Sequence, residues 1–311
     1  MLHKVKRYCI TSPMTQSAGI GTLERQLSEI DSILRKHTNV TEIMANEDGT
    51  VWVEANGALT LEPARMSSDR REAIIRMLAG FHKVICNSEH PTLSVKMPVF
   101  GGGRFQGLVP PVTSEPCFSL RIPPRAVMSL ADLAERRTVT YRDATLLEDA
   151  VNHHRNIIIS GGTGSGKTTI ANALLQLVTN ERLVVIEDNP EIIPVARNRV
   201  MMLTSDRFTL RSAVQASLRL RPDRIIVGEI RDGGTALDLI KAWLTGHPGG
   251  IATVHADSAA GTKRRLRALM QEVVVTPSDA DLEAAIDVIV YVAKEVRQGK
   301  IERKVQEVVY R

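Results

Sequence analysis

Residues 161–169 read GGTGSGKTT, and in that stretch Gly161, Gly166, Lys167 and Thr168 fill the spacing G-x-x-x-x-G-K-[ST]. The glycines Gly161, Gly162, Gly164 and Gly166, with Thr163, Ser165 and Thr169 between and after them, permit a backbone whose N–H groups converge on one phosphate. An apolar strand (157–159) precedes the loop and good helix formers, IANALLQLV, follow it, so the partial positive charge of a helix start adds to the site. In this chemistry Lys167 reaches the β- and γ-phosphates of a nucleotide and the Thr168 hydroxyl binds Mg²⁺. The implied ligands are therefore a nucleotide and Mg²⁺.

Hydrolysis requires an acid beside such a loop. RLVVIEDNPEI places Glu187 and Asp188 at a strand end, with Glu191 one loop further, and DRIIVGEIR places Glu229 after Gly228. We expect Glu229 to polarise the attacking water or the Mg²⁺ shell and Glu187 to be the second acid; Asp188 reads equally as a helix cap. GHPGGIATVHADS holds His247 and His255. Their spacing, with Asp257 as the one local third donor and no cysteine nearby, is poor for a metal. GIATVHA instead reads as a strand that carries His255 to the crest where Glu187 and Glu229 end, while His247 lies in the turn TGHPGG. Arg219, Arg221 and Arg231 flank the Glu229 strand and suit acid or subunit pairings as well as phosphate.

The elements that position these residues fall into two halves. TLERQLSEIDSILRKH (22–37) puts Leu23, Leu27, Ile30 and Leu34 on one helical face. VTEIMAN and TVWVEANG read as strands joined through Glu47-Asp48-Gly49, and residues 68–85 as a helix capped by Ser67 or Ser68. Short β-like runs follow (LSVKMPV, RFQGLVPPV, CFSLRIPP), which makes this half α+β with a mainly antiparallel sheet. Strands NIIIS, RLVVIED, DRIIVGE and GIATVHA then alternate with helices near 167–178, 209–219 and 233–245, the pattern of a parallel sheet wrapped by helices. The boundaries expected are a flexible basic N-terminus at 1–20, an α+β domain at 21–125, a linker at 126–145 and an α/β domain at 146–311.

Composition narrows the class. The 311 residues carry 43% hydrophobic and 24% charged residues, enough for a soluble two-domain protein. Aromatics at 4% argue against base-stacking platforms, and a net charge of +5 allows contact with an acidic membrane surface or nucleic acid without demanding either. Basic residues cluster at KRRLR (263–267) and near the N-terminus (Lys4, Lys6, Arg7). Cys9, Cys86 and Cys117 form no C-x-x-C pair, which excludes a zinc knuckle and suits a reducing compartment. With no spanning run and no signal-peptide pattern, the chain is expected in the cytoplasm.

GGTGSGKTT, VVIEDNPEI, LRLRPDRIIVGEIRD and TGHPGGIATVHADSA, in that order, resemble the Walker A, Asp box, Walker B and His box of the secretion ATPase superfamily. That superfamily includes type II and type IV secretion, conjugation and pilus motor ATPases. The resemblance covers roughly residues 145–295, and the N-terminal half matches in outline, at GGGRFQGLVPPV and FSLRIPP. The missing tetracysteine insertion, with RPDRIIVGEIR and VIEDNPEI, makes the chain similar to the compact conjugative-transfer group, the TrbB-like ATPases. The resemblance implies a RecA-like P-loop NTPase C-terminal domain, a smaller PAS-like α+β N-terminal domain and a homohexameric ring at the cytoplasmic face of the bacterial inner membrane. It further implies partners in a secretion or conjugation apparatus. Arg104 and Arg121 match arginines that approach the nucleotide phosphates, and His255 matches a residue near the γ-phosphate that would sense it.

The function expected is an ATPase that powers assembly of, or transfer through, a conjugative or type IV secretion system. A pilus motor shares all four boxes, but QGKIERKVQEVVYR at the C-terminus reads as a closing strand and does not resemble the helical signature of retraction motors. A regulatory module that binds ATP without turnover is disfavoured by Glu229, Glu187 and His255, and a DNA translocase by the scarce aromatics and modest charge.

Overall fold

A computed structural model describes residues 27–122, 127–205, 207–297 and 300–311. The chain divides into two compact units, Met1–Pro124 and Arg125–Arg311. The basic tail expected at 1–20, Cys9 and the prolines at 123 and 124 lie outside the described residues.

The first unit runs α1 (Ser28–Lys36), β1 (Val40–Ala45), β2 (Val51–Ala55), β3 (Ala58–Leu61), α2 (Ser68–His82), β4 (Thr92–Lys96), β5 (Arg104–Leu108) and β6 (Cys117–Arg121). Its strands form a six-stranded sheet in the order β3-β2-β1-β6-β5-β4, with every pairing antiparallel. The β1–β2 turn is the one expected: Gly49 takes φ +87° and Asp48 Oδ1 accepts the Thr50 N–H at 2.9 Å. Ser67 caps α2, and the helix stops at His82, earlier than its apolar pattern suggests, because Lys83 turns left-handed. Ile74, Ile75 and Leu78 of α2 join Ile43, Phe105 and Leu120 of the sheet in one core. A buried guanidinium, Arg71, ties the edge of this core by donating to the carbonyls of Pro116, Met66 and Glu47.

The second unit runs α3 (Leu130–Glu135), α4 (Tyr141–Asn152), β7 (Ile157–Ser160), α5 (Lys167–Leu175), β8 (Leu183–Glu187), β9 (Arg199–Leu203), α6 (Leu210–Ser217), β10 (Arg224–Ile230), α7 (Gly233–Leu244), β11 (Ile251–Val254), α8 (Ala259–Met270), α9 (Asp279–Ala285), β12 (Val288–Arg297) and β13 (Lys300–Tyr310). The stretch expected as a linker, 126–145, carries α3 and the start of α4. A capping box between Ser129 and Asp132 starts α3, Thr140 caps α4, and Leu130, Leu133 and Leu147 are buried in the core.

The sheet order is β13-β12-β7-β11-β10-β8-β9, parallel throughout except for the antiparallel β12–β13 hairpin. Continuous apolar runs suit strands covered on both faces. Ile157, Ile159, Leu183 and Val185 point to the side of α3, α4 and α5, while Ile158, Val184 and Ile186 point to that of α6 to α9. The C-terminal sequence forms the closing strand expected, β13. Among the described residues, no helix is long and apolar enough to cross a membrane.

Candidate functional site

The order β7-β11-β10-β8 sets four strand ends side by side, and each is followed by one of the expected functional segments. The glycine loop 161–166 follows β7, His255 follows β11, Glu229 lies near the end of β10, and Glu187 closes β8. Ligands of open parallel sheets bind at such ends.

Gly161, Gly164 and Gly166 take φ of +155°, +67° and +104°. A Cβ on Gly161 would stand 2.2 Å from the Val292 carbonyl oxygen, so glycine is required there by close approach. Gly162, Thr163 and Gly164 are exposed; Thr168 and Thr169 are half-buried. Helix α5 starts on Gly166 with no side-chain cap, which leaves its first N–H groups for a ligand. Lys167 is buried, and its Nζ donates to the carbonyls of Gly161 at 3.0 Å and Gly162 at 2.9 Å. Burial pushes the Lys167 ammonium below its ordinary pKa, against the charges of Glu229 and Glu191.

From Lys167 a chain of polar contacts crosses the sheet. Its Nζ is 3.4 Å from His255 Nδ1, and His255 Nε2 is 3.0 Å from Glu229 Oε1. Glu229 Oε2 accepts from Arg231 Nη2 at 3.0 Å, and Arg231 also pairs with Asp188. Burial raises the pKa of Glu229, but Arg231, by hydrogen bond and charge, outweighs it with His255 and Lys167 and holds the carboxyl below its usual range. The β10–β11 register shifts between Val227 and Ile230, and Thr253 Oγ1 donates to the Gly228 carbonyl at 2.6 Å. The irregularity spans Gly228 and Glu229, the residue that meets His255.

Glu187 sits deeper. It is 2% exposed, and its Oε1 accepts the N–H groups of Glu191 and Ile192 at 2.9 Å each. Its Oε2 is buried with no hydrogen-bond partner among the described residues. Burial pushes this carboxyl up to about 7, against those two N–H bonds. The loop it folds carries Glu191 to the phosphate loop, where Glu191 Oε2 accepts from Thr168 Oγ1 at 3.0 Å. Glu191 is thus the acid in direct contact with the glycine loop's threonine. No helix follows β8, so Asp188 is a partner of Arg231 and not a cap.

Arg219 and Arg221 precede β10 and lie at its entry, away from Glu229; Arg231 alone of the three joins the crest. His247 precedes β11 and His255 follows it, so the two stand at opposite ends of one strand. Among the described residues no three His, Cys, Asp or Glu side chains form a metal cage. The donors beside Lys167 do fit Mg²⁺ in another way, as hard oxygens (the Thr168 hydroxyl, Glu229 and Glu191) that supplement phosphate oxygens and water. Arg104 and Arg121 belong to the first unit, exposed and directly opposite each other on β5 and β6. Sequence reasoning missed Arg303 of β13, whose Nε donates to the Gly164 carbonyl at 2.8 Å; a lone arginine in a polar strand carries no signal.

A parallel sheet whose adjacent strand ends present a glycine loop with free helix-start amides, a buried lysine and a histidine, with Glu229 held ionised beside them, defines a site for an anionic ligand. Residues 96–307 match the family described as "Type II/IV secretion system protein", and the chain belongs to that family. It is 38% identical over 288 residues to a probable conjugal transfer protein TrbB of Sinorhizobium fredii, covering 91% of this chain and 88% of that one. It is 31% identical to the type IV secretion system protein VirB11 of Bartonella quintana, covering 87% and 84%. The solved pilus retraction motor PilT with bound ADP shares the fold, with a TM-score of 0.67 at 19% identity over 93% of this chain and 82% of that one.

Proposed function

We propose that this chain is a Mg²⁺-dependent P-loop ATPase that powers assembly of, or substrate transfer through, a conjugative or type IV secretion apparatus. One observation carries the enzymatic part: Lys167, His255, Glu229, Arg231 and Asp188 form a continuous polar chain across adjacent strand ends beside the glycine loop. The relatives TrbB and VirB11 support the biological setting. The likeness to PilT is one of fold, and at 19% identity it carries no function.

In this reading the second unit is RecA-like and the first PAS-like. The amides at the start of α5 and Lys167 bind the phosphates, Lys167 exchanging its carbonyl partners for phosphate oxygens. Mg²⁺, when bound, supplies Lewis-acid stabilisation of the phosphoryl oxygens. Thr168, with Glu229 through water, would hold it. Glu229, kept ionised, orients the attacking water, and His255 reports the phosphate through its contacts with both Lys167 and Glu229. Glu187 acts as the second acid by folding the loop that brings Glu191 to Thr168.

The proposal extends to phosphate contacts by Arg104 and Arg121, a homohexameric ring and work at the cytoplasmic face of the inner membrane. Steady-state phosphate release with Mg·ATP tests the chemistry, with Lys167→Ala and chelation of Mg²⁺ as controls. Turnover abolished by both supports it, and turnover surviving Lys167→Ala overturns it. Solution mass with and without ATP tests the ring.

A further inference from the structure

The hairpin of β12 and β13 backs the phosphate loop at three positions. The Val292 carbonyl presses on Gly161, as the 2.2 Å approach to a Cβ there shows. Arg303 Nε donates to the Gly164 carbonyl at 2.8 Å, and a Cβ on Gly166 would meet Arg303 Cδ at 3.5 Å. The arginine has a firm base. Two residues along β13, the Val305 N–H donates to the Thr138 carbonyl at 2.7 Å, and the Val305 side chain packs on the core around α5.

Peptide geometry gives the grip its meaning. A trans peptide is planar, so the Gly164 C=O and the Ser165 N–H point in opposite directions. Holding the carbonyl toward the hairpin turns the amide into the loop, where the Ser165 N–H donates to the Gly162 carbonyl at 3.3 Å. Lys167 Nζ donates to that same carbonyl at 2.9 Å, so the Ser165 amide and the Lys167 ammonium share one focus. Gly164, at φ +67°, has no side chain to stiffen this peptide. The constraint comes from Arg303.

We propose that Arg303 is a positioning residue of the phosphate loop: it clamps the Gly164–Ser165 peptide so that the Ser165 amide is held inside the loop beside the Lys167 ammonium, where a nucleotide phosphate would replace the Gly162 carbonyl as their shared acceptor. The inference rests on the reading of this loop as the nucleotide site. Preorganisation of this kind acts on binding more than on the chemical step.

The donor is Nε, which the amide nitrogen of a glutamine matches in distance from Cα, whereas lysine places a methylene there. The test uses the full chain and measures the Kd for Mg·ADP, KM and kcat for ATP, and the melting temperature without nucleotide. The proteins are wild type, Arg303→Ala, Arg303→Gln and Arg303→Lys. Arg303→Ala should raise Kd and KM up to about tenfold, the upper worth of one hydrogen bond, with a smaller change in kcat. Arg303→Gln should recover most of that affinity and Arg303→Lys little of it. An alanine variant that binds like wild type, or a lysine variant that rescues where glutamine fails, overturns the clamp, the latter by showing that charge alone matters. Wild-type protein that binds no nucleotide overturns the reading of the loop itself, and the clamp with it. Should Arg303→Ala melt early, the comparison of glutamine with lysine still decides.

Discussion

His255 Nε2 and Glu229 Oε1 stand 3.0 Å apart although one follows β11 and the other lies in β10, and His255 Nδ1 is at the same time 3.4 Å from Lys167 Nζ. The imidazole therefore bridges the lysine expected to hold phosphate and the carboxylate expected to orient water. A bridge of this kind matters to turnover more than to binding. His255→Ala should bind Mg·ADP within about threefold of wild type and lose about 10²-fold in phosphate release, the usual worth of one positioned proton-transfer or orienting group. Normal turnover in that variant would reduce the histidine to scaffolding.

Glu229 is held ionised by Arg231, which it shares with Asp188. Glu229→Gln keeps the shape but not the charge, and turnover should fall at least 10²-fold with nucleotide affinity retained. Arg231→Ala should act differently. Without its main partner the Glu229 carboxyl rises toward its ordinary range, so the acid limb of the pH–rate profile should move to higher pH. An unmoved limb would show that Arg231 does not set the ionisation of Glu229.

Gly228 lies beside Glu187, and a Cβ there would come within 2.9 Å of Glu187 Cγ. That atom is mid-chain in a buried side chain whose Oε1 already holds two amides, so it cannot swing clear. Gly228→Ala should cost about 1–3 kcal/mol in denaturant melts and disturb the 188–192 loop, lowering turnover as well. Unchanged stability and activity together would mean that the strand yields freely at its bulge.

What could be read beforehand was what local chemistry repeats. Glycines at fixed spacing before Lys167, and runs such as Ile157–Ile159 and Leu183–Ile186, state their roles within a few residues. The site was less legible because it is assembled by strand order. Nothing in the sequence near His255 says that β11 lies between β7 and β10, which is what brings it to Lys167 and Glu229 at once. Arg231 could have paired with several acids, and its choice of Glu229 and Asp188 follows from β10 lying beside β8. Glu191 reaches Thr168 because Glu187 captures the amides of its loop, a tertiary event. Strand β9 was missed for a related reason: it is an edge strand whose Arg199, Met201 and Leu203 are exposed, so it lacks the buried run that marks its neighbours.

In the first unit Arg71 is 2% exposed and donates to three carbonyls, those of Glu47, Met66 and Pro116. Arg71→Ala would leave these acceptors without their donor and should cost about 3 kcal/mol. Arg71→Lys should not rescue it, since one ammonium lacks the planar fork that spans three acceptors. Urea denaturation measures both, and a lysine variant as stable as wild type would show that charge, not fork geometry, is what the site uses.

Glu187 makes stability depend on pH with a definite sign. Its carboxyl is raised by burial from the 4.5 of an ordinary glutamate to about 7 in the folded chain. Between those values the folded state keeps a proton that the unfolded state has lost, so stability falls as pH rises. The contribution is fully present below about 4.5 and is lost as pH passes through about 7, a total of about 3 kcal/mol. Glu187→Gln carries no such proton. Relative to this variant, nucleotide-free wild type should lose most of that stability between about pH 5 and pH 8, measured by denaturant melts at each pH. Equal pH slopes for the two proteins would mean that Glu187 is ionised throughout, and that its buried Oε2 acquires a donor or a cation in solution.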